Sequence, residues 1–436
     1  MGQSAPTDAT QQRMTSGDGV VPRSFATLLG AFGLSNLADG VLKVVLPLAA
    51  VTFSRSPGVV AGVEIVRSLP WLVLALPAGA YTDRWDRRRT MLAANLGRAV
   101  MVGIAAAVVA GGHGSIAVLY LAAIGTGVAE VFHDTAAQTV LPQVVGRNEL
   151  SRANGRLQAV ELTAQQFIGP PLAGVVVAVG LAAGVGLPAA LWAVSLLVLW
   201  RLRGNFRAGL DPTQPTTIRR DIGEGLRFVV SNRLLLRLAV MVAISNLTLS
   251  ATGSVLVLYA VGDESTLGLD ERGFTLLFLA LAAGALCAAL AVGRIEAAVG
   301  RARVLAASLL GVFVFLATPA LADDVAVVAA AAVIGGFGVE LWNVPTVSFR
   351  QRVTPDRLLG RVNSTYRLLA WGTMPIGAAL GGLVGEIAGV RSVFAAASGL
   401  FLLQFVLGAR ITEDGLLKAE EAAEASAGEE PRLSRR

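Results

Sequence analysis

The stretch LSNLADGVLKVVLPLAAV, residues 34–51, is apolar enough for hydrocarbon yet holds an aspartate and a lysine four residues apart. It returns in altered form as ISNLTLSATGSVLVLYAV at 244–261. Three more pairs follow in the same order at an offset of about 210 residues: IGTGVAEVF (124–132) with IGGFGVELW (334–342), LSRANGR (150–156) with LGRVNST (359–365), and IGPPLAG (168–174) with IGAALGG (376–382). Two related apolar halves in tandem point to repeats about an axis along a membrane normal, with a path between them.

Working outward, apolar runs of roughly 20 residues, the length that crosses hydrocarbon, occur at 25–52, 58–81, 90–111, 115–137, 158–181 and 184–202, then at 234–261, 273–295, 303–322, 325–347, 366–388 and 390–409. These are spans 1 to 12. The composition agrees: 54% of the 436 residues are hydrophobic and 15% charged, against about 25% charged in a soluble domain. The expected fold is all-α and integral to the membrane, with twelve transmembrane helices in two pseudo-symmetric six-helix bundles. The expected parts are a disordered tail (1–23), an N-terminal bundle (24–203), a linker (204–232), a C-terminal bundle (233–410) and a second tail (411–436). The first tail lacks the charged-then-apolar order of a cleaved signal peptide. In the linker, DIGEGLRFVVSNR has helical spacing of its apolar residues and fits a helix lying along the membrane surface.

A net charge of +6 raises the question of nucleic acid. The basic residues instead stand in short clusters between apolar runs, which excludes a nucleic-acid partner and reports topology. DRWDRRR, GRNELSRANGR, GRIEAAVGRAR and RQRVTPDRLLGR lie on one side. GGHGS, GLAAGVG, GDESTLGLDERG and LADD lie on the other. Arginine-rich loops stay in the cytoplasm, so both termini are expected there. One cysteine, Cys287, and two histidines, His113 and His133, support no disulfide, metal site or cofactor.

Between spans 2 and 3 stands GAYTDRWDRRR (79–89). It resembles the G-x-x-x-D-R-x-G-R-[RK] signature of the major facilitator superfamily through Gly79, Asp83, Arg84, Arg87 and Arg88, with Asp86 in place of the second glycine. GRIEAAVGRAR (293–303) is a degraded second copy. By that resemblance Asp83 braces a cytoplasmic gate against span 11; alternatively, the arginines are topology anchors. GPPLAG (169–174) resembles the end of the fifth-helix signature of antiporters in this superfamily. Pro170 and Pro171 remove backbone donors and bend the helix, while Gly169 and Gly174 permit close approach. Together with SNLADG (35–40) and ANGRLQ (153–158), these residues most resemble the drug/proton antiporter branch that includes macrolide, tetracycline and siderophore exporters. The resemblance implies a multi-pass protein of the bacterial inner membrane that acts as a monomer.

Ionisable groups at mid-bilayer are functional candidates. Asp39 and Lys43 share one face of span 1: they form either an internal ion pair or a proton- or substrate-exchanging carboxylate with a tuning cation. Glu130 in span 4 and its repeat partner Glu340 in span 10 are expected to face the path from opposite halves, or Glu130 to pair with Arg98 or Arg367. Arg98 needs a carboxylate, Asp39 or Glu130. Glu64 and Arg67 are spaced to neutralise one another. Asn36 and Asn246 occupy equivalent places and either meet across the path or make packing hydrogen bonds.

These readings converge on secondary active transport of a small molecule with protons as the coupling ion, most plainly export of amphipathic compounds. Proton-coupled import or uncoupled passage of a small metabolite is the alternative, since the same layout serves both directions. No phosphate-cradling GxxxxGK[ST] is present, against direct use of ATP. An intramembrane enzyme would need a nucleophile, metal or diphosphate motif, and none is found.

Overall fold

A computed structural model describes residues 23–145, 150–202, 206, 218–354, 362, 365–366 and 368–422. It contains twelve helices long and apolar enough to cross a membrane: Ser24–Phe53, Pro57–Leu74, Arg87–Ala110, Ile116–Ala137, Gly155–Val179, Leu181–Trp200, Arg233–Ala260, Glu271–Val299, Arg301–Leu321, Val325–Arg350, Leu368–Ala388 and Val390–Gly408. They are spans 1 to 12 as read from the sequence, with ends shifted by a few residues.

The two halves pack alike. In the first, span 4 lies against spans 2 and 3, and span 6 against spans 1 and 3. In the second, span 10 lies against spans 8 and 9, and span 12 against spans 7 and 9. The seam between the halves is made by span 2 with span 11 and by span 5 with span 8.

Local chemistry sets the helix ends. Asp86 of the span 2–3 turn has φ −68° and caps span 3, its carboxylate accepting from Arg89 N–H at 2.9 Å. A carboxylate at this N-cap thus replaces the glycine of the family signature without backbone strain. Arg87 donates to the Phe206 carbonyl at 3.3 Å, and Arg88 donates to the Trp200 carbonyl at 2.6 Å. Arg88 therefore ties the start of span 3 to the C-terminal end of span 6, where the helix dipole favours positive charge, and Arg87 ties it to the segment that follows span 6. Gly79, Asp83 and Arg84 end the helix Pro57–Arg84; their side chains, and with them the brace expected of Asp83, lie outside the described residues.

Span 5 breaks where its prolines predict. Pro170 and Pro171 have no N–H to offer, and the turn before them, Thr163–Ile168, widens to a π-helix. There Gly169 N–H reaches back to the Ala164 carbonyl. Gly169 then lies on span 1: a Cβ there would fall 2.7–2.8 Å from the Gly40 backbone. Gly174 lies against Thr275 of span 8. Gly377, the repeat partner of Gly169, presses on the Leu247 backbone of span 7 in the same way.

The helix Ile218–Ser231 of the linker does not lie wholly on a surface. Val229 is buried against the core of the second half, while Leu226 and Val230 remain exposed. Residues 411–422, counted with the C-terminal tail, are docked: Ile411 and Leu416 are buried in the same core. Glu420 pairs with Arg301 in a two-pronged bridge and with Arg352 at 3.4 Å. Glu413 accepts from Ala302 N–H at the start of span 9. The hydrogen bond from Arg301 holds the Glu420 carboxyl below the usual carboxylate range.

The buried apolar side chains divide by face. On the face away from the termini, one continuous cluster joins both halves, from Val44 and Leu48 of span 1 through Val60 of span 2 to Val257, Phe274 and Phe394. On the termini face the two larger clusters stand apart. One is built from Phe25, Leu28, Met91, Val140 and Leu199, and the other from Leu235, Leu309, Phe349 and Phe401. Neither contains a residue of the other half, and a small cluster of Trp71, Ala78 and Val131 touches the second half through Trp371. Among the described residues the bundles therefore meet at one end and, beyond the Trp71–Trp371 contact, part at the other.

Candidate functional site

The parted end leads to a polar network carried by spans 1 to 4. Arg98 of span 3 is fully buried, and Nη1 lies 3.4 Å from Asp39 of span 1 and 3.3 Å from Ser35 Oγ. Its guanidinium also lies over the Trp192 ring of span 6, 5.4 Å from the centroid. The cation is thus held by one carboxylate and an aromatic face. Ser35, Asn95 and Ser195 continue the chain of hydrogen bonds into the bundle, ending on the Ala31 carbonyl.

The second part of the network centres on Arg67. It grips Glu64 with two prongs, Nε at 3.0 Å and Nη2 at 2.8 Å, and reaches Glu130 of span 4 with Nη1 at 3.2 Å. A two-pronged guanidinium–carboxylate contact is among the stronger and more directional of ion pairs. Glu130 is further hydrogen-bonded by Trp71, whose ring meets Trp371 of span 11 edge-on at 4.1 Å between centroids. Lys43 is exposed and within electrostatic reach of Arg67, Glu64 and Glu130. Asp134 accepts from or donates to His133 Nδ1 at 3.1 Å according to the proton's place.

Several expected pairings are therefore corrected. Asp39 and Lys43 share a helix but not a bond: Asp39 turns to Arg98, and among the described residues Lys43 has no hydrogen-bond or ion-pair partner. Glu130 pairs with Arg67 rather than Arg98; Arg367 lies outside the described residues. For Asn36 and Asn246, the second of the two readings, packing hydrogen bonds, is the one the structure shows. Asn36 accepts from Gln165 of span 5 at 2.7 Å, and Asn246 donates to the Ala370 carbonyl of span 11 at 2.8 Å. Each ties the first helix of its half to the fifth, which makes them equivalent packing bonds. Glu340 is half-buried, hydrogen-bonded to Asn343 one turn on, with no cation beside it among the described residues. The Glu64–Arg67 pair is as expected.

Reasoning along the sequence missed the bridge from Arg67 to Glu130 and the place of Trp71. The i,i+3 spacing flagged Glu64 with Arg67, but a partner 63 residues away leaves no local signal.

Twelve membrane-crossing helices in two equivalent bundles, parted around a network of intramembrane charges, define a membrane transporter of the major facilitator class. The chain belongs to the family described as transmembrane secretion effector, whose model matches residues 21–434. It is 28% identical over 386 residues to the multidrug efflux pump Tap of Mycobacterium tuberculosis (strain ATCC 25618 / H37Rv), covering 85% of this chain and 88% of that protein. It is 25% identical over 391 residues to the enterobactin exporter EntS of Escherichia coli O1:K1 / APEC, covering 88% and 91%. Among solved structures it resembles a bacterial homologue of the iron transporter ferroportin in an inward-facing state, with TM-score 0.68 and 18% identity over 89% of this chain and 98% of that one. That likeness speaks for the fold.

Proposed function

We propose that this protein exports small amphipathic molecules across the bacterial inner membrane in exchange for protons. In this reading it works as a monomer by alternating access. Residues 24–203 and 233–410 are the two moving bodies, 204–232 connects them, and both termini are cytoplasmic. The observation that carries the reading is the charge balance at mid-membrane. Asp39, Glu64, Glu130 and Asp134 stand against Lys43, Arg67 and Arg98, and the network faces the parted end. With these groups ionised and His133 neutral, the empty network is one positive charge short. A proton or a cationic group of a substrate adds one charge. Two like charges 4 Å apart repel by about 4 kcal/mol at an effective dielectric of 20, so the two loads exclude each other. Exclusive loading is what an exchanger requires.

Sidedness supports the direction. The arginine-rich loops share the termini face, which the positive-inside tendency assigns to the cytoplasm. The parted end is then open to cytoplasmic substrate. The curated relatives named above are exporters, which favours efflux over import.

The test is transport in two settings. In cells lacking their main pumps, expression should lower accumulation of some members of a broad panel of lipophilic drugs and siderophore-like compounds, and an uncoupler should abolish the difference. In reconstituted vesicles, an imposed pH gradient should drive substrate against proton flow. Substrate moving with the protons would replace export by import. Movement indifferent to the gradient would remove proton coupling.

A further inference from the structure

The closed face, away from the termini, is held by two contacts that mirror one another across the seam. From the first half, Arg55 in the turn between spans 1 and 2 crosses to the end of span 7. There Nη1 donates to the Val261 carbonyl at 3.1 Å. Its guanidinium covers Gly262, whose φ of +92° and lack of a side chain make room for it. From the second half, Glu386 in the last turn of span 11 crosses to the start of span 2. There Oε2 accepts from Ser56 Oγ at 2.8 Å and from Gly58 N–H at 3.1 Å.

Each contact sets a charge against the helix pole that favours it. Arg55 lies on the carbonyl end of span 7, and Glu386 lies on the amide end of span 2. Small residues allow both approaches. A Cβ on Gly382 would come within 2.8 Å of Ala61, and one on Gly385 within 2.8 Å of Pro57. Neither Arg55 nor Glu386 touches the mid-membrane network.

We infer that Arg55 and Glu386 form a reciprocal clasp governing how long this face stays closed, each half lending one charge to a helix pole of the other. The inference rests on the swing of the two halves proposed above, because a swing that opens this face breaks both contacts at once. The clasp is built from backbone poles rather than a side-chain ion pair. Each charge therefore acts independently, and losing one leaves the other in place.

Spin labels read the clasp directly. With Cys287→Ala as background, one labelled pair replaces His113 and Asp323 in loops of the closed face. A second pair replaces Arg156 and Arg294 at the parted face. Distances are measured by pulsed electron resonance in lipid nanodiscs. Glu386→Gln or Arg55→Ala should each raise the long-distance population of the first pair relative to the short one by about fivefold, with the second pair shortening in step. Glu386→Asp and Arg55→Lys should stay near the parent and show that the fold is intact. If neither substitution, nor both together, changes the first pair, the clasp is wrong, while the transport proposal stands on its own assays. If the first pair lengthens and the second does not respond, the clasp holds and the rocking of rigid halves is what fails.

Discussion

Spans 1–6 and spans 7–12 pair the same helices and press the same glycines onto the same neighbours, but they differ in charge. Away from the helix ends, the first half carries Asp39, Lys43, Glu64, Arg67, Arg98, Glu130 and Asp134. At comparable depth, the described residues of the second half hold Glu340 alone, hydrogen-bonded to an asparagine. Along the repeat, Asp39 stands opposite Leu249 and Lys43 opposite Gly253, whereas Asn36 keeps its counterpart Asn246. Both asparagines tie the first helix of a half to its fifth. What the halves share therefore keeps each bundle rigid, and what they do not share is chemistry. Under the proton exchange proposed above, proton handling falls to the first half, and the second is the wall against which it swings.

The largest effect that would sharpen this contrast is at Asp39. Asp39→Asn leaves the buried Arg98 cation without its carboxylate, and breaking a buried pair costs about 3–5 kcal/mol. Gradient-driven transport in vesicles should be lost and thermal stability in detergent should fall. Adding Arg98→Met to Asp39→Leu should restore stability but not coupling. If the asparagine variant transports at full rate, the first half has no special claim.

Next comes the carboxylate pair that the repeat makes equivalent. Glu130→Gln should lower gradient-driven transport by about tenfold or more, an effect of at least about 1.4 kcal/mol. Glu340→Gln should change it by less than about twofold, because among the described residues no cation depends on it. Equal losses would place proton handling in both halves.

The shared scaffold predicts equal effects where the charges predict unequal ones. Gly169→Ala and Gly377→Ala each push a methyl into the backbone of a neighbouring helix. Overpacking of this kind costs about 1–3 kcal/mol. Both variants should melt earlier by similar amounts, whatever they do to transport. A large difference would mean the two helix pairs are not equivalent.

The smallest effect belongs to the clamp of the second half by residues 411–422. The hydrogen bond from Arg301 stabilises ionised Glu420. A carboxyl whose folded pKa is depressed contributes stability that is present above its unfolded value and is lost as pH falls through the folded one. Glu420→Gln should cost about 1 kcal/mol at neutral pH, given a two-pronged bridge that is only partly open to water. The difference from the parent should fade in melts below about pH 4 and shrink at high salt.

Much of the site was legible residue by residue, but not as a network. Mid-membrane position alone singled out Asp39, Lys43 and Glu130, because an ionisable group in hydrocarbon is costly wherever it points. The i,i+3 spacing paired Glu64 with Arg67, since helix geometry fixes that distance. The same logic, applied to Asp39 and Lys43, gave a bond that is not made: i,i+4 spacing permits contact, but Arg98 on another helix takes the carboxylate. The double proline in span 5 was readable as a bend because the missing N–H groups are a property of the residues themselves. Its form, a π-turn pressed onto Gly40, was not, since it depends on how near span 1 stands. Arg55 and Glu386 gave no signal, as isolated charges near helix ends look like ordinary interfacial residues.

The sequence by itself determined the number of crossings, the two-fold repeat, the side on which arginine gathers and the family. Each of these is a sum over many residues of local preferences, for hydrocarbon, for water or for the helical turn, and a single substitution barely alters it. Only the tertiary structure decided which carboxylate each cation holds, that the asparagines bind within their own halves, and which face is closed. Those outcomes depend on a few atoms brought to about 3 Å from helices far apart along the chain, where a rotation of one helix exchanges one partner for another.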